Sequence, residues 1–216
     1  MSDLKIMNNI FTTELIANGE GRNVLSAIED GLRTCDEFII SVAFITPDGL
    51  LVLKPILKEL EDRGVKGRIL TTDYLGFNRP EVLDDLGNLK NVELRVYCTS
   101  SHGFHTKGYI FKKDQSYQII VGSSNLTINA LKTNREWNTR AQSYVDDTYT
   151  KEVLEEFELY WNSEFTMKYS DFLPWYRPRW ERANRLSQKN IAEQVELKGS
   201  LKLEPNLMQQ QFIDNF

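Results

Sequence analysis

His105-Thr106-Lys107-Gly108-Tyr109-Ile110-Phe111, then a polar turn, then Tyr117-Gln118-Ile119-Ile120-Val121 and Gly122-Ser123-Ser124-Asn125-Leu126-Thr127, is the stretch on which the fold turns. Two apolar runs joined by the polar Lys112 to Ser116 segment read as a β-hairpin. Side chains two apart in a strand share a face, so His105 and Lys107 point together. The hairpin brings its open ends, one carrying His105 and the other Asn125, to one edge. Glu136-Trp137-Asn138 follows and starts a further strand, read over roughly 136–145.

Upstream the pattern differs. Val24, Leu25, Ile28 and Leu32 recur at helical spacing over Asn23 to Thr34. Phe38 to Ile45 is a continuous apolar run rich in β-branched residues, as expected of a strand covered on both faces. Thr46-Pro47-Asp48 breaks it. A helix from Leu50 to Arg63 follows, stopped by Gly64, then a strand at Arg68 to Thr72, a short helix at Arg79 to Leu89 and a strand at Val92 to Tyr97. This alternation predicts an α/β sheet with helices on both faces. The helix-free run of strands after residue 108 predicts that the sheet is mixed. An amphipathic helix from Tyr149 to Phe165, carrying Val153, Leu154, Phe157 and Trp161, closes the unit.

The chain has 216 residues, 41% of them hydrophobic and 26% charged, which suits a globular protein with a substantial core. No apolar run approaches the roughly 20 residues of a membrane span, and the start shows no secretory pattern, so a cytoplasmic protein without a membrane partner is expected. Cys35 and Cys98 are read as ordinary reduced thiols. His102 and His105, with no nearby carboxylates, make a poor metal set; His102 reads as a loop residue. The net charge of −5 argues against a surface that coats nucleic acid. Between His102 and Arg140, however, six cations face two anions. A positive locus in an acidic body suits a polyanion bound at one place.

A phosphodiester can be cut without a metal when a side chain attacks phosphorus and water later resolves the covalent intermediate. Histidine supplies a nucleophilic neutral nitrogen, and Lys, Ser and Asn supply donors for the non-bridging oxygens. The order His105-x-Lys107, then Gly122-Ser123-x-Asn125, then Glu136 resembles the phospholipase D superfamily, and within it the nuclease branch. The resemblance covers about residues 20–165. It implies a three-layer αβα sandwich with a mixed β-sheet and no cofactor. His105 would be the nucleophile, Lys107 and Asn125 would bind the phosphate, Ser123 would support it and Glu136 would orient His105. Ser124, Lys132 and Arg135 join as substrate-binding residues. The lipid-cleaving pattern has an Asp seven residues after the His; Lys112 stands there, with Asp114 two residues late, which favours nuclease over lipase. The superfamily builds its site from two motif copies and this chain has one, so a homodimer is implied, the second His105 acting as general acid.

Three functions are thus set out: a metal-independent nuclease acting on nucleic acid, DNA foremost; a silent binding module of the same fold; and, last, a phosphatidyl transferase or lipase. Asp73 and Tyr74 follow a strand end, where such sheets gather ligands, but a capping role for Asp73 fits better. Residues 1–170 are assigned to the phospholipase D-like domain. Residues 171–200, with Pro174-Trp175-Tyr176-Arg177-Pro178-Arg179-Trp180, read as a basic and aromatic linker. Residues 201–216, with Pro205-Asn206-x-x-Gln209, resemble the entry to the motor of a superfamily-two (DEAD/DEAH-type) helicase or restriction-type enzyme, cut short before the nucleotide-binding glycine loop.

Overall fold

A computed structural model describes residues 11–19, 21–99 and 103–200, with side chains to residue 188. The expectations for His102 and for the 201–216 tail lie outside the described residues. The chain divides into a unit ending at Tyr176 and a second beginning at Arg177.

The first unit is an α/β fold around an eight-stranded mixed sheet. Its strands are β1 (Thr12–Ala17), β2 (Glu37–Val42), β3 (Lys66–Thr72), β4 (Val92–Tyr97), β5 (Lys107–Lys113), β6 (Ser116–Gly122), β7 (Trp137–Tyr144) and β8 (Thr166–Lys168). They lie in the order β1-β7-β6-β5-β2-β3-β4-β8. The β2–β3 and β3–β4 pairs are parallel, as their intervening helices require, and every other pair is antiparallel. The helices are α1 (Val24–Thr34), α2 (Pro47–Asp62), α3 (Pro80–Gly87), α4 (Ile128–Lys132), α5 (Thr148–Trp161) and α6 (Tyr169–Ser200).

Alternation divides β2 between two cores. Ile39 and Ala43 join Ile110, Ile119, Phe157 and Trp161 in the cluster under α5. Phe38, Ile40 and Val42 face the other way. On that side Phe111 packs so closely on α1 that a Cβ at Gly31 would lie 2.2 Å from its ring. The expected three layers follow from this division.

Two strands and two helices depart from expectation. β1, an edge strand, escaped the reading because Ile16 alone of its residues is buried. β8 is only Thr166–Lys168, too short for a periodic signal. α4 is a single five-residue turn. The 171–200 stretch, read as a linker, is helix throughout. Pro174 and Pro178 each remove a helical donor, a cost of about 3 kcal/mol or more for an interior proline. Against that cost, Phe172 is fully buried and stacks on Tyr176 with centroids 4.7 Å apart, and Tyr176 donates to the Asn78 carbonyl at 2.7 Å. In the second unit α6 continues to Ser200.

Candidate active site

The register fixes which ends meet. Val42 pairs with Lys107, Gly108 with Val121, and Gly122 with Asn138. The ends of β2 and β6 and the starts of β5 and β7 therefore share one edge. It is also where β2 switches from a parallel neighbour to an antiparallel one, the usual place for a ligand in an open α/β sheet.

The turn after β6 is held by many small locks. A Cβ on Gly122 would sit 2.3 Å from the Trp137 carbonyl and 2.4 Å from Asn138 Oδ1, so only glycine lets β7 approach. Leu126 bridges Ile45 in parallel fashion: Leu126 N donates to the Phe44 carbonyl and Thr46 N to the Leu126 carbonyl, both at 3.1 Å. Gly49 of α2 makes room, since a Cβ there would come within 2.2 Å of the Leu126 carbonyl. Asn78 grips the ends of β2 and β3. Its Oδ1 accepts from Ile45 N at 2.7 Å, and its Nδ2 donates to the Ala43 and Thr72 carbonyls and to Thr71 Oγ1.

His105 lies just before β5, exposed, with its ring edge-on to Phe44 at 5.7 Å. Lys107 is 8% exposed. Its Nζ meets His105 Nδ1 and the His105 carbonyl, each at 2.7 Å. Burial holds the Lys107 ammonium below the ordinary lysine value, and the charge of nearby Glu136 pushes back the other way. An ammonium has no acceptor, so Nδ1 accepts and the neutral ring carries its proton on Nε2. Asn125 Oδ1 accepts from Phe44 N at 3.1 Å, which fixes the amide and leaves its NH₂ as a donor.

Glu136 accepts from Ser123 Oγ, which also takes the Trp137 N–H at 3.1 Å. Glu136 was expected at His105; among the described residues Lys107 occupies Nδ1 instead. The Ser123 hydroxyl is exposed and beside the site. Ser124 corrects the expectation of substrate contact: it is wholly buried. Its Oγ takes Asn138 Nδ2 at 2.9 Å and its N–H reaches Asn138 Oδ1 at 3.3 Å, while Tyr109 Oη donates to its carbonyl at 3.0 Å. It anchors the turn because β7 packs directly over it. Asn138 and Asn78 had no role in the sequence reading, and a lone Asn in a strand start or loop gives no signal for one.

Lys132 ends α4 and Arg135 precedes β7; both are exposed and, among the described residues, carry no ion pair. The positive locus is smaller than the sequence suggested. Lys112 lies at the far edge, bound to Glu37 at 3.0 Å, and Arg140 is paired with Glu14. Asp73 turned out to cap a loop, accepting from Thr99 N and Oγ1, both at 2.8 Å. Burial pushes the Cys35 and Cys98 thiols up to about 11, in keeping with inert reduced cysteines. Among the described residues no three His, Cys, Asp or Glu side chains are grouped to hold a metal ion, and no helix is long and apolar enough to cross a membrane.

Comparison with known proteins agrees with this fold. Residues 33–161 match the family described as "Cardiolipin synthase, PLD-like domain". Human mitochondrial cardiolipin hydrolase is 33% identical over 117 residues, 53% of this chain and 42% of that protein, so the chain spans less than half the length of this relative. Two solved structures share the fold. Nuc from Salmonella typhimurium, a phospholipase D family member, has a TM-score of 0.59 at 17% identity, over 74% of this chain and 98% of that one. NucT from Helicobacter pylori has a TM-score of 0.53 at 20% identity, over 70% and 94%.

Proposed function

This chain belongs to the PLD-like domain family, and from that premise we propose that it is a metal-independent phosphodiesterase that cuts nucleic acid through a phosphohistidine on His105. The observation that carries the reading is the convergence of His105, Lys107 and Asn125 on one sheet edge, with a buried ammonium and a fixed amide aimed where a phosphate would sit.

The arrangement supports a route for the first step. With Lys107 donating to Nδ1, Nε2 holds a proton and has no lone pair for attack. An arriving phosphate draws Lys107 off Nδ1, and the ring proton passes through water from Nε2 to Nδ1, which frees the Nε2 lone pair. Nε2 then attacks phosphorus; a P–N bond forms, the P–O bond to the leaving group breaks, and an acid protonates that oxygen. Water next breaks the P–N bond, returning the imidazole and a phosphomonoester. With one motif in the chain, the acid is the His105 of a second copy, and the enzyme is a cytoplasmic homodimer. A monomer in sedimentation that still cuts at full rate would refute the dimer. The Pro205-Asn206-x-x-Gln209 tail supports continuation into a helicase motor, which DNA-stimulated ATP hydrolysis by a longer chain would test.

The deciding experiment is incubation with labelled single- and double-stranded DNA in excess EDTA, wild type beside His105→Ala. Cutting should survive EDTA and vanish in the variant. Salt-sensitive binding without cutting would favour the silent module.

A further inference from the structure

Beside His105 the sheet and α5 part to leave a cavity of about 540 Å³. That lies within the roughly 300–1,000 Å³ of small-ligand pockets. His105, Lys107 and Gly122 stand on its sheet side, Val121, Val153 and Phe157 give apolar wall, and Tyr149 and Tyr160 add aromatic surface. Glu152 and Glu156 also line it, four residues apart on α5 and so on one helix face. Both are exposed and, among the described residues, neither has an ion pair.

Two unanswered carboxylates one turn apart repel each other and would repel a phosphate chain. The unpaired cations Lys132 and Arg135 are not part of this wall; they belong to the segment after the motif turn. Lys107 reaches the cavity from the sheet side, while the α5 wall is acidic and the cations Lys132 and Arg135 lie outside it. A polyanion would run along the Lys132 and Arg135 flank, and what enters the acidic, aromatic flank must be flat or apolar and bear hydrogen-bond donors.

Resting on the nuclease reading above, we propose that this cavity takes the nucleobase next to the scissile phosphate, and that Glu152 and Glu156 select bases with an exocyclic amino group. Carboxylates accept from such amino groups, while aromatic side chains offer stacking surface to any base. Thymine has no amino group and presents carbonyl oxygens to the same carboxylates. An acyl chain would match the apolar wall but leave the two glutamates unused.

The test measures kcat/KM in EDTA on homopolymer oligonucleotides of cytosine and of thymine, for wild type and for Glu152→Ala/Glu156→Ala. Wild type should prefer cytosine, and the double variant should lower the cytosine-to-thymine ratio about tenfold, the discrimination that one good base contact supplies. An unchanged ratio overturns the assignment. Wild-type turnover of bis(p-nitrophenyl) phosphate, which has no base, separates the two failures. Turnover of that compound with an unchanged ratio removes only the base pocket. Inertness towards it and both oligonucleotides, with cleavage of cardiolipin vesicles, removes the nuclease reading as well and gives the cavity to an acyl chain.

Discussion

Lys107 and Lys112 stand at opposite ends of β5, roughly 17 Å apart at about 3.3 Å per residue, and the fold treats them in opposite ways. At the far edge Lys112 is met by Glu37, and two further cations of the sheet are paired: Arg68 with Glu158, and Arg95 with Glu93 at 2.7 Å. At the site edge Lys107 is buried and, among the described residues, its Nζ is hydrogen-bonded to His105 and to no carboxylate. Lys132 and Arg135, between the motif turn and β7, form no ion pair among the described residues, and Asn125 keeps a spare donor. Burying an ammonium costs on the order of several kcal/mol unless it is paired. An edge that accepts this cost is arranged for an anion that arrives from outside.

Replacing Lys107 tests that contrast most severely. Lys107→Met should lower phosphodiester cleavage by about 10² to 10³-fold, the usual loss when a donor to the transition-state oxygens is removed. Its melting temperature should nevertheless hold or rise, because a buried charge is removed. The pH dependence carries the sign. The folded-state pKa of Lys107 lies below the unfolded one, so over the interval between them the unfolded chain binds more protons and wild-type stability increases with pH. The advantage of the Met variant should therefore be greatest at neutral pH and shrink as pH climbs toward the ordinary lysine value of about 10.4. A Met variant that melts well below wild type at neutral pH would mean that Lys107 supports the fold rather than the ligand.

Asn138→Ala comes next. It strips partners from the buried Ser124 hydroxyl and N–H, and should cost roughly 1–3 kcal/mol in urea unfolding, the penalty for stranding buried polar groups. Cleavage should fall with it as the turn bearing Asn125 loosens. Ser123→Ala, one residue away but exposed, should leave unfolding within about 0.5 kcal/mol of wild type.

These adjacent serines show what was legible in the sequence and what was not. The order of His105, Lys107, Ser123, Asn125 and Glu136 gave the family, and the switch from alternation to a hairpin gave the mixed sheet, because both depend on local spacing. Whether Ser123 or Ser124 faces solvent depends on how β7 lies over the turn, a contact with residues 14 positions away. The same holds for charge. Counting six cations between His102 and Arg140 misled, since Glu37 and Glu14 come from strands far away in the chain. Asn78 was invisible for the same reason: its four bonds reach the ends of two strands.

Removing the unpaired cations should have a smaller and more specific effect. In Lys132→Ala/Arg135→Ala the slope of log Kd for DNA against log salt should fall by about 1.4 to 1.8, the share of two phosphate contacts. Unfolding should not move. An unchanged slope would take both residues out of the phosphate path.

Lys112→Met should do least, and its smallness is informative. The ion pair with Glu37 is substantially exposed, and such pairs contribute about 0.2–1 kcal/mol. Glu37, left alone, keeps its own solvation and so is not stranded as a buried partner would be. Lys112 belongs to the run of cations that sequence alone assigns to the polyanion site, but its position at the far edge predicts no change in the salt slope and none in cleavage. If Lys112→Met lowered the slope by about 0.7 to 0.9, as the loss of one phosphate contact does, nucleic acid would have to reach both edges of the sheet. The contrast between an answered edge and an open one would then describe folding alone and say nothing of where substrate binds.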